Sequence, residues 1–243
     1  MSKQKKVGDY TLEDINTANG KFRPIVFTMP QGVLRYAKLL KPDTDYDSDG
    51  KFQTDVILDR NESAVSEFCD DIDAMVDAQF EAAKAGRKTA KAKNQVVKAY
   101  PYENEVDEET EEETGRVIFR RVSTKASGTG KNGYWEKQFG GKRLFDAAGK
   151  PLNKFIGNGS VGKVAFHIYP YFMESTKMSG ISLRLEAVQV IERNTGDAGA
   201  GAFGFGVEGE GEEDDEGFSF GGDASEGKDE GGTDDQDDDD FDY

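Results

Sequence analysis

The chain has 243 residues and a formal net charge of −17, with 33% charged and 35% hydrophobic residues. Cys69 is its one cysteine and His167 its one histidine, which excludes a disulfide framework, a Cys/His zinc site and the usual His-based triads or dyads. No apolar run is long enough to span a bilayer and no apolar signal core follows the basic residues 1–6, so the expected setting is reducing and cytoplasmic, with no membrane, metal or cofactor.

Residues 1–20 are polar and read as a flexible N-terminus. Residues 22–27 and 33–40 have strand character, separated by the turn-like Met29-Pro30-Gln31-Gly32. An acidic turn over residues 42–50 leads to a further strand, 52–58, with Phe52, Thr54, Val56 and Leu58 on one face. The spacing then predicts a helix over about 61–85. Val65, Phe68, Cys69, Ile72, Val76, Phe80 and Ala83 recur every three or four residues, with Gly86 as the stop. That stripe reads as core, and Cys69 as a small buried apolar group rather than a nucleophile. Residues 87–114, first basic and then acidic, read as an irregular charged insertion.

From Arg116 the chain becomes a β region. Strand candidates at 116–125, 134–139, 142–145, 163–172 and 181–192 are punctuated by Gly-rich turns. One long helix among many short strands predicts a mainly β fold, a small barrel with an inserted helix. The domains are then a flexible 1–20, a folded 21–193 and a tail, 194–243.

The tail holds nineteen Asp/Glu and one lysine, Lys228, so the rest of the chain is close to neutral. Rich in Gly and poor in aliphatic residues, it cannot bury enough surface to offset its ordering entropy and is expected to be disordered. Its end, Asp237, Asp238, Asp239, Asp240, Phe241, Asp242 and Tyr243, couples a polyanion to aromatic rings. That combination looks like single-stranded nucleic acid, although composition alone would also allow a plain solubility tail.

The folded part is polarised. Residues 42–81 carry thirteen acids against two bases, and residues 116–163 carry eleven bases against two acids. The basic half also holds aromatics. Basic side chains tracking phosphates, with rings on which bases stack, are what single-strand binding requires. The candidate contacts are Arg120, Arg121, Lys125, Lys131 and Lys163 for phosphates, and Tyr134, Trp135, Tyr169 and Tyr171 as rings. Along 163–172, Val164, Phe166, Ile168 and Phe172 alternate with Lys163, Ala165, His167, Tyr169 and Tyr171. The first set reads as core and the second as an exposed face. Trp135 is equally readable as core, and His167 as packed or lining a groove, not as a ligand.

Two near-motifs fail. Asp45-Tyr46-Asp47-Ser48-Asp49-Gly50 begins like a calcium loop, but Val56 stands where the bidentate Glu is needed. Gly128-Thr129-Gly130-Lys131-Asn132 looks like a phosphate loop, but Lys125 and Asn132 replace its first Gly and its Ser/Thr, so it reads as a flexible positive hairpin tip. The acids lie consecutively in loops, unlike the spaced carboxylates of a two-metal nuclease, so no enzyme is expected.

Several short runs match a known family in order and spacing. They are Lys41-Pro42-Asp43, Gly50-Lys51-Phe52, Ala99-Tyr100-Pro101-Tyr102-Glu103, Ile156-Gly157-Asn158-Gly159-Ser160, Tyr169-Pro170-Tyr171 and Leu183-Arg184-Leu185-Glu186. With the acidic, aromatic-ended tail, they make the chain resemble the single-stranded DNA-binding proteins of short-tailed phages, over most of 33–243. The resemblance implies an OB-fold-like five-stranded barrel with a capping helix and a homodimer. It also implies a role in DNA replication, recombination, repair and strand annealing. It places Tyr171 on a ring that stacks on DNA. It further implies a tail that occupies the DNA groove and contacts the phage DNA polymerase and helicase–primase. The chain departs from the family in its longer insertion near 87–114, its Gly-rich tail and its Phe-Asp-Tyr ending. The competing expectation is an acidic-tailed chaperone or scaffold that binds basic partners, in which the β domain only presents the tail.

Overall fold

The computed structural model describes residues 5–21, 24–45, 48–107, 109–131 and 133–195. The tail residues 237–243 lie outside the described residues, as does Asn132 of the hairpin tip. In chain order, a 3-10 turn (Val7–Asp9) and helix α1 (Leu12–Gly20) precede strands β1 (Phe27–Thr28), β2 (Gly32–Asp43) and β3 (Lys51–Asp59). Helix α2 (Ser63–Ala85), the short α3 (Ala90–Asn94), β4 (Val97–Ala99) and β5 (Tyr102–Val106) follow. Then come β6 (Glu113–Lys125), β7 (Ser127–Gly130), β8 (Gly133–Glu136), β9 (Leu144–Phe145), β10 (Ser160–Met173) and β11 (Met178–Glu192).

Five strands form a ring. Antiparallel pairings run β10 to β2, β2 to β3, β3 to β6 and β10 to β11, and β11 meets β6 in parallel. The last junction is a single residue pair, Arg184 opposite Ser123, so the barrel is not closed. This is the strand order of a partly open OB-fold-like barrel. The core is built from alternating residues of its walls: Val164, Phe166 and Ile168 from β10, Leu183 and Leu185 from β11, and Val117 and Phe119 from β6. The expected inward set of β10 holds at Val164, Phe166 and Ile168, whereas Phe172, also expected inward, is only half-buried, with the Arg87 guanidinium 4.0 Å from its ring centroid.

Helix α2 plugs one end. Val65, Phe68, Cys69, Ile72, Met75 and Val76 are buried, each of them but Cys69 contributing about 1.5–3 kcal/mol. The Phe68 ring lies 5.6 Å from that of Phe119 and 6.0 Å from that of Phe166. Burial pushes the Cys69 thiol up to about 11, in keeping with an inert core group.

Three segments differ from the sequence expectation. The N-terminus, expected to be flexible, is structured: its described residues 5–21 include the 3-10 turn and α1. A capping box of Thr11 and Asp14 starts α1, Ile15 is buried, and Asn19 donates to the Ile168 carbonyl at 2.9 Å. The insertion 87–114, expected to be irregular, supplies α3, β4 and β5. Backbone pairing does not depend on side-chain charge, so β5 joins β6 and β4 runs parallel to β11 despite their polar sequences. Its acid Glu105 is buried because Arg35 and Arg116 neutralise it. The domain also extends past residue 193. Asn194 donates its backbone N–H to Ser160 Oγ (2.9 Å) and its side-chain amide to the Asn158 carbonyl (2.7 Å).

Candidate nucleic-acid interface

The outward faces of β10 and β11 form the first wall of a groove of about 730 Å³. By register, His167 lies opposite Arg184, Tyr169 opposite Ser182 and Tyr171 opposite Gly180. The Arg184 guanidinium lies over the Tyr169 ring, 3.8 Å from its centroid, a cation–π contact that fixes both groups. Gln79 of α2 donates to the Tyr171 carbonyl at 3.0 Å, so the plugging helix also holds this strand in place. Burial raises the Tyr171 phenol above its ordinary value, leaving it neutral with its ring partly accessible.

At the foot of this wall β11 carries one extra residue, and Glu186 turns toward His167 and Arg143. Burial pushes the Glu186 carboxyl up, but the hydrogen bonds and charges of His167 and Arg143 outweigh it and hold the group at about 2. The other nitrogen of His167 faces the Ile25 carbonyl at 3.2 Å. This histidine is therefore engaged on both sides within the floor.

The second wall is β6. Strict alternation would send Arg120 and Arg121 to opposite faces. A bulge prevents this. Arg121 takes a φ of +52°, the β3–β6 register slips between Thr54 and Val56, and buried Asp55 accepts the Arg121 N–H at 2.7 Å. Both guanidiniums are exposed and line the groove. Arg120 pairs with Glu103 of β5 and Lys125 pairs with Asp49 at 3.1 Å. Both pairs are exposed, so they contribute little and are readily exchanged for a phosphate. Arg121 has no such partner among the described residues.

The hairpin β7–β8 and the β4–β5 connection complete the site. Trp135 sits opposite Gly128, is 40% exposed and lines the groove. A Cβ at Gly128 would come within 3.0 Å of the indole, so the glycine makes the seat for this ring. Lys137 donates to Thr124 at 2.8 Å, and burial followed by the charge of Arg143 lowers its pKa. A phosphate nearby would counter that shift. Beyond Tyr171, Tyr100 is 47% exposed, while Tyr102 packs on Phe119 and donates to Asp73 at 2.7 Å.

Of the residues expected from sequence, Arg120, Arg121, Lys125, Trp135, Tyr169 and Tyr171 are brought together here. Lys131, at the hairpin tip, and Tyr134, 69% exposed on β8, do not line the groove. Lys163 borders a separate pocket with Thr28, Phe145 and Gln189 instead, because the strand runs out of the groove before reaching it. Arg184, Lys51 and Tyr100 entered the sequence reading only as family landmarks and Lys137 only as part of the basic segment, none of them named as an individual contact, yet all four line the groove. Arg184 alternates with Leu183 and Leu185, a signal sufficient to place it outward. In all, six cations line the groove against the two acids Glu103 and Glu186.

A positive groove with ring faces, on a partly open five-stranded barrel, defines the class of single-strand-binding OB-like modules. The comparisons agree. The family described as "Single-stranded DNA-binding protein, Bacteriophage T7" matches residues 32–193, and the chain belongs to it. Its members are binding proteins, not enzymes. The fold is similar to that of gp2.5, a single-stranded DNA-binding protein encoded by bacteriophage T7. The TM-score is 0.58 and the identity 21%, over 70% of this chain and 93% of that one. The single-stranded DNA-binding protein from bacteriophage Enc34, solved with ssDNA, also matches, with TM-score 0.45 and 12% identity over 70% and 87% of the two chains. No curated protein matches the chain. Among the described residues no helix is long and apolar enough to cross a membrane.

Proposed function

We propose that this protein binds single-stranded DNA along the groove without sequence preference. Arg120, Arg121, Lys125 and Arg184 take phosphates, and Trp135, Tyr169 and Tyr171 stack on bases. The observation that carries this reading is the groove itself: six cations and several accessible rings on facing walls, in a chain of this family. Ring faces accept any base, which accounts for the tolerance of sequence. On this reading the protein serves phage DNA replication, recombination and repair, promotes strand annealing, and acts as a homodimer. The acidic tail competes with DNA for the groove as a tethered polyanion, at an effective concentration of millimolar order. DNA displaces it and frees it to recruit the phage polymerase and helicase–primase.

The test is fluorescence anisotropy with a labelled single-stranded oligonucleotide at low and moderate salt. The full chain is compared with a truncation after Thr195, which keeps the Asn194 bonds to the domain. Tight, salt-sensitive binding that strengthens without the tail is expected. Affinity that is unchanged by truncation at every salt concentration refutes the competition, and no binding by either form refutes the DNA reading.

A further inference from the structure

Tyr36 is a bulky residue on a strand with its backbone in the left-handed region, φ +52°. Its ring adds nothing to the core, being 62% exposed. The β2–β3 register slips between Arg35 and Lys38 to allow this, and the Asn158 side-chain carbonyl accepts the Tyr36 N–H at 2.7 Å. Asn158 is in turn bonded through its own carbonyl to Asn194 (2.7 Å), the last stretch of the domain before the tail. Two constraints from distant parts of the chain thus hold an unfavourable backbone in place, and the effect is to present one aromatic ring to solvent. Strain of this kind persists where the surroundings impose it, and it concentrates at ligand sites.

The ring opens on a second cavity of about 710 Å³, which it lines with Lys38, Lys51, Arg120 and Arg121. Lys51, Arg120 and Arg121 also line the main groove, so the two spaces share one basic border. Tyr169 and Tyr171 belong to the first space alone, and Tyr36 and Lys38 to the second alone. Of the acids in the second cavity, Asp55 is occupied by the Arg121 N–H, and Asp43 accepts from Gln53 at 2.8 Å. The four cations of the cavity still outnumber these two acids, and the exposed ring lies beside them.

We propose that the single-stranded track continues past the two arginines onto β2, where Tyr36 is a further base-stacking residue and Lys38 takes a phosphate of the same stretch. This rests on the DNA-binding reading above and extends it to a surface outside the groove.

The experiment compares full-length wild type, Tyr36→Gly and Tyr36→Phe on a labelled oligothymidylate of about 16 nucleotides, the upper end of single OB-fold site sizes. Glycine suits the left-handed backbone, so Tyr36→Gly removes the ring without threatening the fold, and its melting temperature should equal or exceed that of wild type. Tyr36→Gly should lose roughly 5- to 150-fold in affinity, the range one stack supplies, and Tyr36→Phe should bind like wild type. Wild-type affinity in Tyr36→Gly overturns the proposal while leaving the groove reading intact. Equal losses in Gly and Phe overturn stacking in favour of a hydroxyl contact. Failure of wild type itself to bind overturns the groove reading, and this extension with it.

Discussion

Replacing Arg121 by glycine separates charge from fold at the centre of the groove. Arg121 sits at φ +52° with its N–H bound to Asp55 at 2.7 Å. The left-handed backbone costs a non-glycine residue about 1–2 kcal/mol, which glycine does not incur. Glycine in a strand loses about 0.5–1 kcal/mol through the freedom of its unfolded state. The two terms nearly offset, so Arg121→Gly should melt within a few degrees of wild type or slightly above it, and the N–H to Asp55 bond is retained. What disappears is one guanidinium without an ion-pair partner among the described residues. A hydrogen bond to a charged group contributes about 1.5–3 kcal/mol, so affinity for single-stranded DNA should fall roughly 10- to 150-fold at low salt. One lost phosphate contact should also flatten the plot of log affinity against log salt by about 0.7, whereas Arg121→Lys should keep the slope. Anisotropy titrations at four or more salt concentrations measure both quantities. An unchanged slope with unchanged melting would refute the placement of Arg121 on a phosphate.

The seat of Trp135 can be probed by Gly128→Val. Its side chain would displace the indole, from which an added Cβ would lie only 3.0 Å away. Emission from the chain's one tryptophan should shift and DNA affinity drop roughly fivefold or more. Unaltered emission together with unaltered affinity would show that the indole is not part of the interface. Glu186 makes a prediction about acid. Its folded pKa, about 2, lies below the ordinary 4.5, so its contribution is fully present above about pH 4.5 and is lost as pH falls toward 2. The stability gap between wild type and Glu186→Gln, at most about 3 kcal/mol before solvent screening, should close over that window in denaturant titrations. A gap that stays constant down to pH 2.5 would mean His167 and Arg143 do not stabilise the carboxylate.

Much of the architecture can be read from periodicity. The expected stripe is dry from Val65 to Val76 at helical spacing, though Phe80 and Ala83 at its end are only half-buried, and β10 alternates Val164, Phe166 and Ile168 against His167, Tyr169 and Tyr171. Both patterns follow from local geometry, in which side-chain direction repeats every 3.6 or 2 residues. The N-terminal helix and the insertion escaped this reading because few of their residues are buried. Their order comes from partners elsewhere in the chain: Asn19 on the Ile168 carbonyl, β5 along β6, and Glu105 between Arg35 and Arg116.

The candidate site divides the same way. Its chemistry is legible in the sequence, because charge and ring content are properties of residues wherever they fall: a basic, aromatic-rich half, an acidic tail, and a row of Tyr169 and Tyr171 on one strand face. Which of those residues meet was decided by the tertiary structure. The bulge at Arg121, anchored by Asp55, puts two neighbouring arginines on the same side, where alternation alone would have split them. The pairing of β10 with β11 sets Arg184 over Tyr169, and the path of β10 carries Lys163 away from the groove. Composition is additive along the chain and so can be read without a fold. Adjacency depends on register and on single-residue slips between strands distant in sequence, and a slip of one residue reverses the face a side chain presents.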